Sequence, residues 1–436
     1  MNEIYLQIKE KLDTLSIEEL AYQTGFQKRI PKKLNALDFT TGVFKSLHEG
    51  ELTPNRIAKE IGIGQQNIVS RKAVDNKLSY RHEPFAKAIF EEALSKKLTE
   101  KRDNSLFDFF LDAFLYDSSC LKVPENLFEI FPGPHSSKGK CATVRLQLRM
   151  NLLNSTYTHI DIQSYRDNDQ KYSAEIAKQT QAGELNIFDL GYAVLGSLEA
   201  IDKKLAYFLC RLRFGVKVFT KDGRPINLLK ELQRLYRRGI CHLDWEVRIG
   251  EKKRLPVRVI AQKVPQRVYE QRLKKAKNDR DQRTKHSDEY YQMLAWTILI
   301  TNVPKEVWTP AQALRAYQFR WRIEVIFKCW KSKFHLQAVF KARNWIRPPA
   351  AKMYLYFILT WLLLFFVPLF KYYEYQVWNT HQKELSILKF ADCVNEHLSA
   401  LLKPESNPLI INHVAYHSCY DKRKDRLNYL ELLNMF

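Results

Sequence analysis

The stretch from Met353 to Phe370, MYLYFILTWLLLFFVPLF, runs 18 residues without a charge between Lys352 and Lys371. Such a segment has two stable homes, a bilayer or the all-round interior of a large domain. As a helix it would span about 27 Å, short of a hydrocarbon core of roughly 30 Å, and Pro368 shortens the useful part further. The chain around it is strongly charged, with 27% of its 436 residues Asp, Glu, Lys or Arg. The expectation is a helix buried on every side, in a chain whose 45% of hydrophobic residues can build a sizeable core over several domains.

Charge narrows the partner. Lys and Arg number 70 against 48 acids, an excess of 22 positive charges. That suits a polyanion, whether DNA, RNA or an anionic membrane surface, and exceeds what an acidic small substrate requires. The seven cysteines (120, 141, 210, 241, 329, 393, 419) are scattered and form no Cys-x-x-Cys pair. This argues against a disulfide framework or a zinc finger and predicts a reducing, cytoplasmic setting. The N-terminal MNEIYLQIKEKLDTL mixes charges at helical spacing and lacks the apolar centre of a secretory signal.

Residues 1–105 read as helical and carry two helix-turn-helix patterns. One is IEELAYQTGFQKR, residues 17–29. The other, Thr53 to Val74, has a Thr-Pro start, apolar Ile57 and Ile61, and a break at Gly62-Ile63-Gly64. Its second helix is then expected to carry Gln65, Gln66, Asn67, Ser70, Arg71 and Lys72, side chains that suit base edges and phosphates. From Leu106 short apolar runs predict strands. FDFFLDAFLYD, ending at Asp117, is followed by CATVRLQLRM and THIDIQSYR at the spacing of an antiparallel meander. ELNIFDLGYA reads as strand, loop and helix start, with Asp189 at the strand's C-terminal end, where open α/β sheets collect ligands. Residues 213–294 are strand-rich and basic: CHLDWEVRI and LPVRVIAQKV form a hairpin across GEKKR, and a dense charge run covers 269–290. WTILITNV returns as a strand, and residues 373–436 read as helical, with LNYLELLNMF an amphipathic end.

Between Tyr317 and Lys333, YQFRWRIEVIFKCWKSK holds a single carboxylate, Glu324, among five basic residues. Thr309-Pro310 upstream supplies an N-cap and a first helical residue. At about 100° per residue, Phe319, Ile323, Ile326, Phe327 and Trp330 share one arc and form a core face. Tyr317, Arg320, Glu324, Lys328 and Lys331 share the opposite stripe, so the acid points the same way as its cations. Solvated i,i+4 ion pairs, at a few tenths of a kcal/mol each, are one account of such a stripe. A metal-binding acid among phosphate-binding cations is the other, and it also accounts for the excess charge.

The helix resembles, position for position, the Tyr-x2-Arg-x3-Glu-x6-Lys signature of bacterial insertion-sequence transposases of the DDE type, with Tyr317, Arg320, Glu324 and Lys331 in the four places. The resemblance covers nearly the whole chain in order: helical N-terminus, an Asp in YDSS, an Asp in FDLGY, a β-rich stretch, then the Glu helix. It implies an α/β fold with an RNase H-like catalytic core interrupted by a β-rich insertion. The implied layout is an end-binding helical domain at 1–105, the core at 106–212 and 295–372, the insertion at 213–294, and a helical dimerisation region at 373–436.

By the same resemblance Asp117, Asp189 and Glu324 are metal ligands for two Mg2+ or Mn2+ ions, hard cations that take carboxylate oxygen. Asp112, Asp108 and Asp161 stay open as the first acid, as does a turn-capping role for Asp117. Arg320, Lys328 and Lys331 hold DNA phosphates and Tyr317 orients DNA; a Tyr nucleophile is its rival role. Trp296, 28 positions before Glu324, falls where the family has a Trp that stacks on a flipped base, and a core Trp heading the WTILITNV strand is the alternative. The implied reaction is cut-and-paste transposition of double-stranded DNA by a homodimer, through a hairpin intermediate. An RNase H-like nuclease on branched DNA, or a non-catalytic DNA-binding descendant, shares many of these features.

Overall fold

The computed structural model describes residues 3–65, 68–96, 104–135, 139–278, 286–334, 336 and 348–421. Gln66, Asn67, residues 422–436 with the whole of LNYLELLNMF, and residues 279–285 of the charge run lie outside them.

The described residues form ten strands: β1 (Asp112–Val123), β2 (Ala142–Asn151), β3 (Tyr157–Ser164), β4 (Glu184–Phe188), β5 (Tyr207–Arg211), β6 (Val218–Phe219), β7 (Pro225–Ile226), β8 (His242–Ile249), β9 (Leu255–Lys263) and β10 (Trp296–Thr301); β5, β6 and β7 were not singled out in the sequence, and the FDFFLDAFLYD run becomes strand only from Asp112. All ten share one sheet in the order β3-β2-β1-β4-β5-β10-β9-β8-β6-β7. β1, β2 and β3 are the antiparallel meander. β1, β4 and β5 run parallel, which demands crossovers, and the helices Asp169–Gln179 and Leu195–Lys203 supply them. β8 and β9 pair as the predicted hairpin. Its turn begins at Gly250, whose φ is +83° and where a Cβ would lie 2.5 Å from Leu195 Cδ1. Residues 213–294 add their strands to the same sheet, because β10 pairs with β5 on one side and β9 on the other.

Strand alternation splits the core in two. Ala113, Leu115, Leu185, Ile187, Leu209, Ile260 and Leu299 face a large cluster built with the N-terminal helices, the Glu324 helix and the long apolar helix. Phe114, Tyr116, Phe188, Phe208, Val259 and Ile300 face the other way, onto Ile176, Leu198, Ile201 and Leu232 of the helices across the second face.

The apolar segment is interior. Helix continues from Ala351 to His381, the one span among the described residues apolar and long enough to cross a membrane, and 83% of its most apolar window is buried within the protein. It is not regular: a π turn at Leu362–Phe366 separates Ala351–Trp361 from Val367–His381. Pro368, just inside the last helix, lacks the N–H that would bond to the previous turn, and the π turn ahead of it absorbs the mismatch. Phe357 meets Phe39 and Phe44 at 6.2 Å, and Phe370 meets Phe390 at 5.8 Å, so this helix joins N-terminal to C-terminal elements.

The second helix-turn-helix pattern is corrected. One helix, Pro54–Gln65, runs straight through Gly62 and Gly64, and the next, Arg71–Lys77, starts only after Ser70, whose Oγ caps Ala73 N at 3.2 Å. Gly64 serves close approach rather than a break: a Cβ there would lie 2.6 Å from the Tyr5 ring. Gln65 therefore ends the first helix instead of opening the second.

Candidate active site

The Glu324 helix forms much as its sequence requires. Thr309 caps Pro310–Gln318 through a reciprocal capping box with Gln312, and Trp321–Ser332 follows after Phe319 and Arg320. Phe319, Ile323, Ile326, Phe327 and Trp330 are all buried, pinning the helix to the sheet face that carries Leu115 and Ile187. That leaves Glu324 and Lys328 exposed, with Tyr317, Arg320 and Lys331 half-buried between helix and strands.

Two strands bring the aspartates beneath it. The parallel ladder between β1 and β4 ends at Tyr116 opposite Phe188, so Asp117 and Asp189 stand side by side one residue further on. Alternation turns both toward the face covered by the Glu324 helix, since Leu115 and Ile187 point there. Asp117 is mid-strand rather than at a strand end: β1 continues to Val123 because β2 pairs along it to Ala142. Among the alternative first acids, Asp112 Oδ1 accepts from Asn151 Nδ2 at 2.9 Å, and Asp161 accepts from the Tyr172 hydroxyl at 2.6 Å and contacts His159. Asp108 is exposed.

The groups are electrostatically coupled. Burial pushes the Asp117 carboxyl up to about 7; the Ser118 backbone N–H and Arg320 oppose the rise, while Glu324 and Asp189 add to it. The Ser118 N–H donates to Asp117 Oδ1 at 2.8 Å. The Tyr317 hydroxyl donates to Asp189 Oδ1 at 3.4 Å, and burial drives that hydroxyl's pKa well up. Arg320 Nη2 lies 2.6 Å from Glu324 Oε1, and its Nε is buried without a hydrogen bond. Burial works against the Arg320 charge, yet Tyr317, Asp189 and Glu324 outweigh it and hold the guanidinium more firmly protonated. Burial lowers the Lys331 pKa, with Cys120 and Asp117 opposing. Lys333 points elsewhere, to Asp392 Oδ2 at 2.6 Å.

The donor set fits a hard divalent cation in kind: carboxylates, one of them driven toward neutrality by burial and by two other acids. It is not assembled as a cage. Among the described residues no three acidic, His or Cys side chains converge on one point, and Glu324 is turned to Arg320.

The remaining sequence candidates are dispersed. Arg71 and Lys72 are exposed at the start of their helix, and Arg71 borders a surface groove with Asn55, Lys59, Ile63 and Ile68. Gln65 is half-buried at the end of the preceding helix. Trp296 heads β10, is 6% exposed and packs in the second core, with Lys263 Nζ 5.7 Å from its ring, the placement of the core alternative. Its surroundings come from β9 and the helix Gln266–Lys277, whose Arg272 donates to the Trp296 carbonyl at 3.1 Å. Sequence reasoning missed the polar side chains behind the aspartates, Ser118, Arg145, Gln147, Asp169 and Tyr192; the cue was charge inside the alternation of TVRLQLRM, where Arg145 and Gln147 must face a buried surface.

Residues 108–361 match the family model described as a transposase DDE domain. The chain is 24% identical over 415 residues to the transposase for insertion sequence element IS231F of Bacillus thuringiensis subsp. israelensis, covering 90% of this chain and 84% of that protein. It is 24% identical over 358 residues to the transposase for insertion sequence element IS1151 of Clostridium perfringens, covering 77% and 75%. A solved piggyBac transposase, in a synaptic complex with hairpin DNA, aligns over 97% of this chain and 87% of its own at 9% identity and a TM-score of 0.43. With well over half its length matched by the family model, this chain belongs to the DDE transposases of bacterial insertion sequences, enzymes that cut DNA and transfer its strands.

Proposed function

We propose that the chain is a cut-and-paste transposase whose Asp117, Asp189 and Glu324 hold Mg2+ or Mn2+, two ions per site, at the ends of its own mobile element. The observation that carries this reading is that Asp117 on β1 and Asp189, one residue past the end of the neighbouring parallel β4, stand side by side under the Glu324 helix. Divalent ions bound there would supply an activated water and stabilise charge on the reacting phosphate. The chain's own side chains do the rest. Arg320, whose Nε is unsatisfied, and Lys331 and Lys328 along the same stripe hold phosphates flanking the cleaved one. An ion held by Glu324 would compete with its pair to Arg320, and a guanidinium released from that pair would offer more of its donors to DNA phosphate. Tyr317 stays an orienting residue, because its buried hydroxyl is held protonated beside Asp189.

On this reading the core is RNase H-like, residues 213–294 are the DNA-facing insertion, and Arg71 and Lys72 contact the element's ends. The protein acts in the cytoplasm as a homodimer on DNA. Nicking, hairpin formation, hairpin opening and strand transfer are all in-line displacements at phosphorus, so one site serves them all. The test is incubation of the protein and Mg2+ with labelled DNA carrying the element's terminal inverted repeats, read on a denaturing gel. The expected products are 3′-end nicks, then hairpins on the element's ends, then joined target. Cutting that ignores the repeats and follows branch structure instead would favour a nuclease and overturn the reading.

A further inference from the structure

On the sheet face away from the Glu324 helix, a second polar cluster lies directly behind the two aspartates. Asp169, the first residue of helix Asp169–Gln179, stands at its centre. Its Oδ1 accepts from Ser118 Oγ at 2.7 Å, from Arg145 Nη1 at 2.8 Å and from Gln147 Nε2 at 3.2 Å. Arg145 Nη1 also donates to Ser118 Oγ at 3.0 Å, and the Tyr192 hydroxyl donates to Gln147 Oε1 at 2.5 Å. Gln147 and Tyr192 are each 1% exposed. Gly191 rests against the same carboxylate: a Cβ there would lie 3.0 Å from Asp169 Oδ2.

The cluster grips the chain at two informative points. Ser118 follows Asp117, and Tyr192 closes the short turn Leu190–Tyr192 that follows Asp189. The β1–β4 ladder stops at Tyr116 and Phe188, one residue short of both acids, so it does not itself fix their separation. Resting on the active site proposed above, we infer that Asp169 is a positioning residue for it: through Ser118 it ties β1, already laddered to β2, to the helix Asp169–Gln179, and through Gln147 and Tyr192 it holds the turn beyond Asp189. The spacing at which the two acids present their oxygens to a cation is thus set from behind. A partly buried charged network of this kind also adds rigidity, which a pair of metal ligands carried by two neighbouring chain segments needs.

The experiment compares the full-length protein with Asp169→Asn and Tyr192→Phe, using Asp117→Ala as reference. Three quantities are read: melting temperature against MnCl2 concentration without DNA, affinity for end DNA in EDTA, and cleavage rate at saturating Mn2+. Positioning predicts end-DNA affinity within about twofold of wild type in both variants, with the half-saturating Mn2+ concentration raised and cleavage lowered roughly 10- to 100-fold in Asp169→Asn, and both shifted in the same direction in Tyr192→Phe. A purely structural network predicts lower melting temperatures with wild-type Mn2+ dependence and wild-type cleavage, and that result overturns the inference. If Asp169→Asn does not fold, Tyr192→Phe, which removes one hydroxyl, decides between the same two outcomes. Loss of the Mn2+ response in Asp117→Ala alongside an unchanged response in the other two overturns the positioning role alone. A wild-type Mn2+ response and cleavage in Asp117→Ala overturns the site assignment beneath it.

Discussion

A carboxyl held up to about 7 by burial, Asp117 costs the metal-free fold stability once it ionises. Its folded pKa lies above the ordinary carboxylate value of 3.8, so its contribution is fully present below about pH 4 and is lost as pH rises through 7. Asp117→Asn, which stays neutral, should therefore raise the melting temperature of metal-free protein at pH 8 and change it little at pH 4; equal shifts at both pH values would contradict this origin. On the neighbouring helix, Arg320→Ala and Lys331→Ala should each lower end-DNA cleavage by on the order of 10². Lys333→Ala, which breaks only its pair with Asp392, should stay within a few-fold of wild type. Cleavage rates of the three at one salt concentration check the contrast. These directions were legible in the sequence because helical periodicity fixes which way a side chain points. Trp296 was not, because its burial depends on strands and a helix folded over it from elsewhere in the chain.

At the scale of elements, alternation revealed the meander and the hairpin, and a carboxylate at a strand end revealed Asp189. The polar half of β1 was hidden: the apolar run ends at Asp117, and pairing with β2 carries the strand on through SSCLKV. Gly64 misled for the converse reason, since a glycine needed for close helix packing looks in sequence like one needed for a turn. Gly64→Ala should accordingly destabilise by about 1–3 kcal/mol through overpacking against Tyr5, measured by urea denaturation, whereas a glycine at a true break would tolerate alanine with little loss. The Glu324 helix and the apolar helix are joined by Arg322 Nη2 and Glu374 Oε1 at 3.2 Å, with the Glu374 side chain 2% exposed. Removing Glu374 takes this counter-charge from a largely buried guanidinium, whose Nη2 also donates to Ser155 Oγ at 3.4 Å. Glu374→Ala should cost roughly 3–5 kcal/mol in the same measurement, while a loss below 1 kcal/mol would place that pair in effective contact with water.

For the whole molecule, composition narrowed the partner to a polyanion and the apolar run reported the core, but the single sheet was out of reach. Nothing local tells β10 to lie between β5 and β9; Leu299 pairs with Arg211 and Thr301 with Leu209, across the whole of the intervening segment. The net excess of 22 positive charges predicts that end-DNA affinity falls steeply with salt, on the order of 10³ between 50 and 200 mM, and a flat response would remove the electrostatic account. The central claim is that Asp117, Asp189 and Glu324 form one metal-dependent site. Single-turnover cleavage of end DNA in Mg2+ tests it, comparing wild type with Asp117→Ala, Asp189→Ala, Glu324→Ala and, as a control acid, Asp161→Ala, each at matched DNA occupancy. The first three variants should bind the ends and fail to cut, while Asp161→Ala cuts; cutting by any of the three, or its loss in Asp161→Ala with Asp117→Ala still active, would contradict the account.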